Sequence, residues 1–186
     1  MKEYYSLDVA GVKRDLKLFP VSDTLSIAAF ILFGDVELTC AVAKELIKKI
    51  PEHDILLTAE AKSIPLIHEM ARQLGENEYV IARKGEKVYM EDIVKVTVNS
   101  ITTQREQMLC IGKKEADLIR GKRVVIVDDV ISTGDSLKAM EKLVDAVGGK
   151  IVAKMAVLAE GDAINRDDIT VLAPLPLFNA NGDPLK

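Results

Sequence analysis

The residues Val124-Val125-Ile126-Val127-Asp128-Asp129-Val130-Ile131-Ser132-Thr133-Gly134-Asp135-Ser136 decide how this chain is read. Four β-branched residues in a row make a short apolar run that can be buried on both faces, as strands inside a parallel sheet are. Two adjacent carboxylates follow at its C-terminal end, then a small, hydroxyl-rich turn with one glycine, then a helical pattern. A plain turn has no use for neighbouring acids, which repel one another. At the carboxyl end of a strand, however, such a turn can aim backbone N–H groups and the positive end of the next helix at a phosphate. Gly134 lets the turn tighten, so Thr133 to Ser136 can supply converging donors. The two acids suit the vicinal hydroxyls of a sugar, which need acceptors, or a metal ion.

The rest of the composition narrows the class. At 186 residues the chain suits one domain with a full core. Hydrophobic residues make up 48% and charged residues 29%, the balance of a globular protein. The net charge of −4 argues against a nucleic-acid or membrane-surface protein, which would carry a basic face. Cys40 and Cys110 lack metal-ligand spacing and read as buried free thiols. Met1 to Leu7 lacks the apolar core of a signal peptide, and the run Ile27 to Phe33 is too short to span a bilayer. A cytoplasmic protein is expected.

Outward from the central stretch, strands and helices alternate. Residues 1–20 alternate charged and apolar positions up to Pro20 and read as a strand or extended arm. Ser22-Asp23 offers a cap for a helix over Leu25 to Phe33, with Gly34 as its stop. Asp35 can cap a second helix carrying Val36, Cys40, Ala43, Ile47 and Ile50, closed by Pro51. Asp54 to Glu60 is a buried strand leading through Ala61-Lys62-Ser63 into a helix with Pro65 near its first position and Gly75 at its end. Tyr79 to Ala82 is a short strand followed by the basic segment Arg83-Lys84-Gly85-Glu86-Lys87. Ile93 to Val98 and Glu106 to Ile111 can pair as a hairpin, so that residues 84–105 project from the sheet. After the central strand, Leu137, Met140, Leu143, Val144 and Val147 line one helix face, ended by Gly148-Gly149. Ile151 to Leu158 and Ile169 to Leu172 are further strands, and the tail from Pro174 reads as irregular. The expected fold is α/β, a mainly parallel sheet flanked by helices.

Two further segments carry chemistry. Glu60-Ala61-Lys62-Ser63, a strand end opening a helix, makes an anion site to which Lys62 adds charge. Taken alone, Arg83 to Lys87 is a solvated charge run. His53 and His68 have no partners suggesting a triad, and neither a Gly-x-Gly-x-x-Gly nor a Walker A loop occurs.

The 13-residue stretch 124–136 resembles the phosphoribosyl-pyrophosphate (PRPP) motif of the type I phosphoribosyltransferases, and the resemblance covers roughly residues 54–178. It implies that Asp128 and Asp129 hold the ribose hydroxyls and, through PRPP and water, a Mg²⁺ ion. It also implies that Ile131, Ser132, Thr133, Gly134, Asp135 and Ser136 hold the 5′-phosphate. Asp135 stands where many members have a second glycine. Glu60 to Ser63 resembles the pyrophosphate loop of the adenine enzymes, with Ala61, Lys62 and Ser63 in place and Ser63 replacing the usual glycine. Arg83, Lys84 and Lys87 match the basic segment that faces the pyrophosphate. Residues 88–105 would then be a flexible loop covering the site, with Glu106 the candidate general base by loop position. Ser100 to Met108 is closer to the Gln-rich loop of xanthine phosphoribosyltransferases and of the purine repressor of Gram-positive bacteria. Val157 to Gly161 and Val171 to Phe178 resemble the end of the adenine enzymes. The resemblance implies one domain: an N-terminal hood over about 1–34, a core over 35–178 and a tail over 179–186. Its expected activity is transfer of 5-phosphoribosyl from PRPP to a purine, adenine ahead of xanthine, by a homodimer. The alternative is a PRPP-binding regulator without turnover.

Overall fold

The central run behaves as its composition requires. In a computed structural model describing residues 2–99 and 106–185, Arg123–Ile131 is one continuous strand whose apolar residues are buried except for the half-buried Val130. Numbered in chain order, it is β8. Its parallel neighbours are β4 (Ile55–Ala59) on one side and β9 (Lys150–Glu160) on the other. Beyond them lie β5 (Val80–Ala82) and β10 (Thr170–Leu175), giving a five-stranded, all-parallel sheet of order β10-β9-β8-β4-β5.

Period-two geometry splits the strand residues between two cores. Val125 and Val127 face a layer made by α1 (Val36–Ile47) and α2 (Ile64–Leu74). Val124 and Ile126 face α3 (Lys113–Ile119) and α4 (Asp135–Ala146), with Leu137, Met140, Leu143 and Val144 of α4 fully buried. Helices therefore cover both faces, and the sheet's carboxyl ends are left free to carry loops. Beneath the acid pair, the Thr58 hydroxyl donates to the Val127 carbonyl at 2.6 Å, so the only polar side chain of β4 is satisfied within the sheet.

A second sheet packs on the α1–α2 side. It is antiparallel, of order β1-β2-β3-β11, from β1 (Tyr4–Val9), β2 (Val12–Pro20), β3 (Leu25–Ala28) and β11 (Phe178–Asn179). Ala10-Gly11, both at positive φ, supplies the two-residue turn between β1 and β2. Arg14 of β2 reaches across to Asp35, the N-cap of α1, at 2.8 and 3.0 Å. That guanidinium holds the Asp35 carboxyl below its usual range. A third pair, β6 (Val94–Asn99) with β7 (Glu106–Ile111), is the expected hairpin.

The structure corrects two expectations. Leu25 to Phe33 is not a helix, because Leu25–Ala28 pairs with both β2 and β11. The Ser22 hydroxyl does cap, but it accepts the N–H groups of Thr24 and Leu25 within a tight turn. The tail is not irregular: β10 continues to Leu175, Pro174 being tolerated on an edge strand, and Phe178–Asn179 adds a strand to the antiparallel sheet. Lys113–Ile119 is a short helix whose Glu115 side chain accepts the Gly112 N–H. Cys110 is buried and Cys40 half-buried, and both are free. No helix among the described residues is long and apolar enough to cross a membrane.

Candidate functional site

Two strand–turn–helix units stand side by side at the carboxyl edge of the parallel sheet: β8 into α4, and β4 into α2. Because β4 and β8 are hydrogen-bonded neighbours, their turns come together without any long excursion of the chain. The contacts between them form the site.

Asp128 and Asp129 are both buried at the end of β8. Asp128 Oδ1 accepts the Ser63 hydroxyl at 2.8 Å and the Asp129 N–H at 2.9 Å. Burial, and then the charge of Asp129, push the Asp128 carboxyl above its ordinary range, while the Ser63 hydroxyl pulls it back. Asp129 Oδ2 lies 3.0 Å from Lys62 Nζ, yet among the described residues it makes no well-formed hydrogen bond. The turn after β4 is thus tied to both acids: Ser63 to the first, Lys62 to the second. The Glu60–Ala61 peptide that begins this turn is cis. Glu60 faces the next segment along the edge. Its carboxylate accepts the Lys84 N–H at 3.0 Å and lies 3.6 Å from Arg83, whose guanidinium also donates to the Tyr89 hydroxyl at 2.7 Å.

The turn after β8 closes as its glycine predicts. Gly134 has φ +79° and forms the N-cap of α4, a conformation that costs an L side chain about 1–2 kcal/mol. Asp128, Val130 and residues 131–137 line a cavity of about 100 Å³ around it. That is the scale of one phosphate group, and it sits at the N-terminus of a twelve-residue helix. Asp135 carries its carboxylate back onto the Thr133 hydroxyl, which donates to it at 2.9 Å. A larger hollow of about 690 Å³ runs along the β5 edge between Tyr79, Tyr89 and Asp117, but it includes neither acid of the pair nor the glycine turn.

Asp128, Asp129, Lys62 and Ser63 are therefore in direct contact, and Arg83 and Lys84 gather on Glu60 next to them. Ile131 to Ser136 form one loop. Lys87 is exposed, and among the described residues its hydrogen bonds run through its own backbone to Met90. Glu106 opens β7 opposite Asn99, and its side chain lies outside the described part of the structure, as do residues 100–105 of the loop expected over 88–105. Two further residues reach the site: Glu160, which belongs to the segment Val157 to Gly161 read above, and Arg166, which belongs to no motif. Glu160, at the end of β9, hydrogen-bonds Ser132 and feels Lys62, while burial raises its carboxyl. Arg166 places Nη1 only 2.9 Å from where a Cβ on Gly134 would lie.

No group of three or more His, Cys, Asp or Glu side chains builds a metal cage among the described residues. The acid pair, with Asp129 Oδ2 buried and poorly bonded, instead offers oxygen donors suited to a hard divalent cation that brings its remaining ligands with it.

Comparison with known proteins agrees with this geometry. The family model described as the phosphoribosyl transferase domain matches residues 35–173. The chain belongs to the phosphoribosyltransferase family, a family of pentosyltransferases, and is adenine phosphoribosyltransferase-like. It is 32% identical over 149 residues to the adenine phosphoribosyltransferase of Acetivibrio thermocellus, covering 78% of this chain and 84% of that protein. It is 28% identical over 130 residues to xanthine phosphoribosyltransferase 1 of Clostridium perfringens, covering 68% and 67%. Among solved structures, the Trypanosoma brucei adenine phosphoribosyltransferase in complex with AMP, pyrophosphate and ribose-5-phosphate superposes with a TM-score of 0.65 at 19% identity, over 92% of this chain and 76% of that one.

Proposed function

We propose that the protein transfers 5-phosphoribosyl from PRPP to adenine, forming AMP and releasing pyrophosphate. The observation that carries this reading is the lock between the acid pair of β8 and the Lys62-Ser63 turn of β4. It sets a sugar-hydroxyl site between a phosphate loop on one side and a cationic anion site on the other. PRPP is a molecule with that layout: a 5′-phosphate, vicinal ribose hydroxyls and a pyrophosphate on the anomeric carbon.

In this reading the bond from the anomeric carbon to the pyrophosphate oxygen breaks, and its electron pair leaves with the pyrophosphate. A bond to a purine nitrogen forms, and that nitrogen's proton passes to a base. Positive charge grows at the sugar and negative charge on the leaving group, so groups that meet the departing charge bind the transition state better than the substrate. Lys62 and Arg83 fill that role, with Lys84 and Lys87 on the approach. Asp128 and Asp129 hold the ribose hydroxyls and steady the developing cation, and residues 131–136 anchor the 5′-phosphate. Mg²⁺, held mainly by PRPP and water beside Asp128 and Asp129, would neutralise pyrophosphate charge. The segment through 88–105 excludes water when it closes, with Glu106 as the candidate base. The working form is a cytoplasmic homodimer.

Adenine is favoured by the adenine enzymes among the relatives and by the C-terminal segment ending in Leu177-Phe178. The match to a xanthine enzyme makes xanthine the second reading. The test is pyrophosphate release with PRPP and Mg²⁺ against adenine, xanthine, hypoxanthine, guanine, uracil and orotate. Turnover with adenine alone is expected. Turnover with xanthine instead would replace the base assignment, and PRPP binding without turnover on any base would make the protein a regulator.

A further inference from the structure

Arg166 lies outside every motif described above, yet its guanidinium stands against the phosphate loop. It follows the short turn Gly161–Asn165 that leaves β9, and its N–H bonds the Ala163 carbonyl. Since β9 runs parallel beside β8, that turn emerges at the same edge of the sheet as residues 131–136. Arg166 is held in place by a fork: Nε and Nη2 donate to the two oxygens of Asp168 at 2.9 and 2.8 Å. Asp168 is in turn paired with Lys154, which donates to Glu141 on α4 at 2.9 Å. The clamp thus runs from the Arg166 segment to the helix that the phosphate loop opens. Nη1 takes no part in the fork, and this is the corner turned to Gly134. Gly134 is buried although Ser132 and Thr133 beside it are exposed.

Nη1 adds its charge to the positive end of the α4 dipole at Gly134, and the two together favour an anion at this spot. The cup also carries the carboxylates of Asp128 and Asp135, and Asp135 occupies the Thr133 hydroxyl. A doubly charged phosphate entering it needs more positive charge than neutral N–H donors supply. We propose that Arg166 is a further substrate-binding residue, delivering a fixed positive charge to the 5′-phosphate from outside the loop that cradles it. Asp168 is the positioning residue that aims it. The proposal rests on the PRPP reading of this site and adds to it a residue that the motif does not contain. It also gives Gly134 a second reason to be glycine, because a methyl there would displace the guanidinium.

The test is calorimetric titration of the full-length protein with ribose 5-phosphate and, separately, with pyrophosphate. Arg166→Gln is expected to weaken ribose 5-phosphate by about tenfold or more, the scale of a charged hydrogen bond, and to leave pyrophosphate within about twofold. Asp168→Asn, which breaks the fork but keeps the guanidinium, is expected to weaken ribose 5-phosphate by about threefold and pyrophosphate not at all, and wild-type affinity for both would remove Asp168 from the positioning role. A purely structural Arg166–Asp168 pair predicts the opposite pattern: both variants falling equally, on both ligands, with a lowered Tm. That result, or wild-type ribose 5-phosphate affinity in Arg166→Gln, would overturn the proposal. If Arg166→Gln does not fold, Arg166→Met, which keeps the aliphatic stem without the charge, replaces it, with ribose 5-phosphate weakened about tenfold in support and bound as by the wild type against. Wild-type protein that binds pyrophosphate but no ribose 5-phosphate would instead defeat the PRPP reading itself, and the role of Arg166 with it.

Discussion

The turn after β4 and the turn after β8 are made of the same local parts and carry opposite charge. Each follows a parallel strand from the middle of the sheet, each opens a helix on the carboxyl edge, and each holds a buried group that contacts the other. The β4 turn exposes a lysine and buries a serine hydroxyl; the β8 turn buries two carboxylates and tightens on a glycine. The shared architecture explains why both can receive a phosphate group. In the proposed function the difference gives them different ones: a leaving group that gains charge would be met by Lys62, and a sugar with a spectator phosphate by acceptors and backbone donors. The lock between Ser63 and Asp128 fixes their separation.

The comparison breaks most severely at the second acid. Asp129→Asn is expected to keep the fold and to lower PRPP-dependent turnover by about a hundredfold, measured as kcat/KM, since it removes a charged acceptor and the partner of Lys62 together. Lys62→Ala should cost about tenfold in kcat/KM, because the lysine is half exposed and its charge is partly screened. Ser63→Ala leaves the buried Asp128 short of one donor and is expected to destabilise the protein by about 1 kcal/mol, read from chemical denaturation.

The smallest effect concerns pH. The raised Asp128 carboxyl binds a proton more tightly in the folded protein than in the unfolded chain. Between the ordinary aspartate value near 3.9 and the raised native value, the folded state therefore carries more protons, and stability falls as pH rises. Asp128→Asn should remove that part of the slope and raise the Tm of the unliganded protein at neutral pH while weakening PRPP binding. An unchanged slope would mean that the acid is better solvated than its burial implies.

Legibility in the sequence followed how local each feature is. Val124 to Ser136 could be read because a doubly covered strand needs a continuous apolar run, and the residues of its loop are consecutive. Glu60 to Ser63 could be read for the same reason. The strand at Leu25–Ala28 could not, since a serine hydroxyl followed by apolar residues caps a turn as readily as a helix. Its state is set by pairing with Phe178 and Asn179 at the other end of the chain. Arg166 had no signal at all. Its neighbour Asp168 and the distant Gly134 give it a place only once β9 lies beside β8.

The central claim, that the two turns bind opposite ends of one substrate, is tested most directly by titrating Lys62→Ala and Asp129→Asn with pyrophosphate and with ribose 5-phosphate. The account predicts a crossed result: Lys62→Ala loses pyrophosphate affinity and keeps ribose 5-phosphate, and Asp129→Asn does the reverse. Equal losses on both ligands in both variants would contradict it.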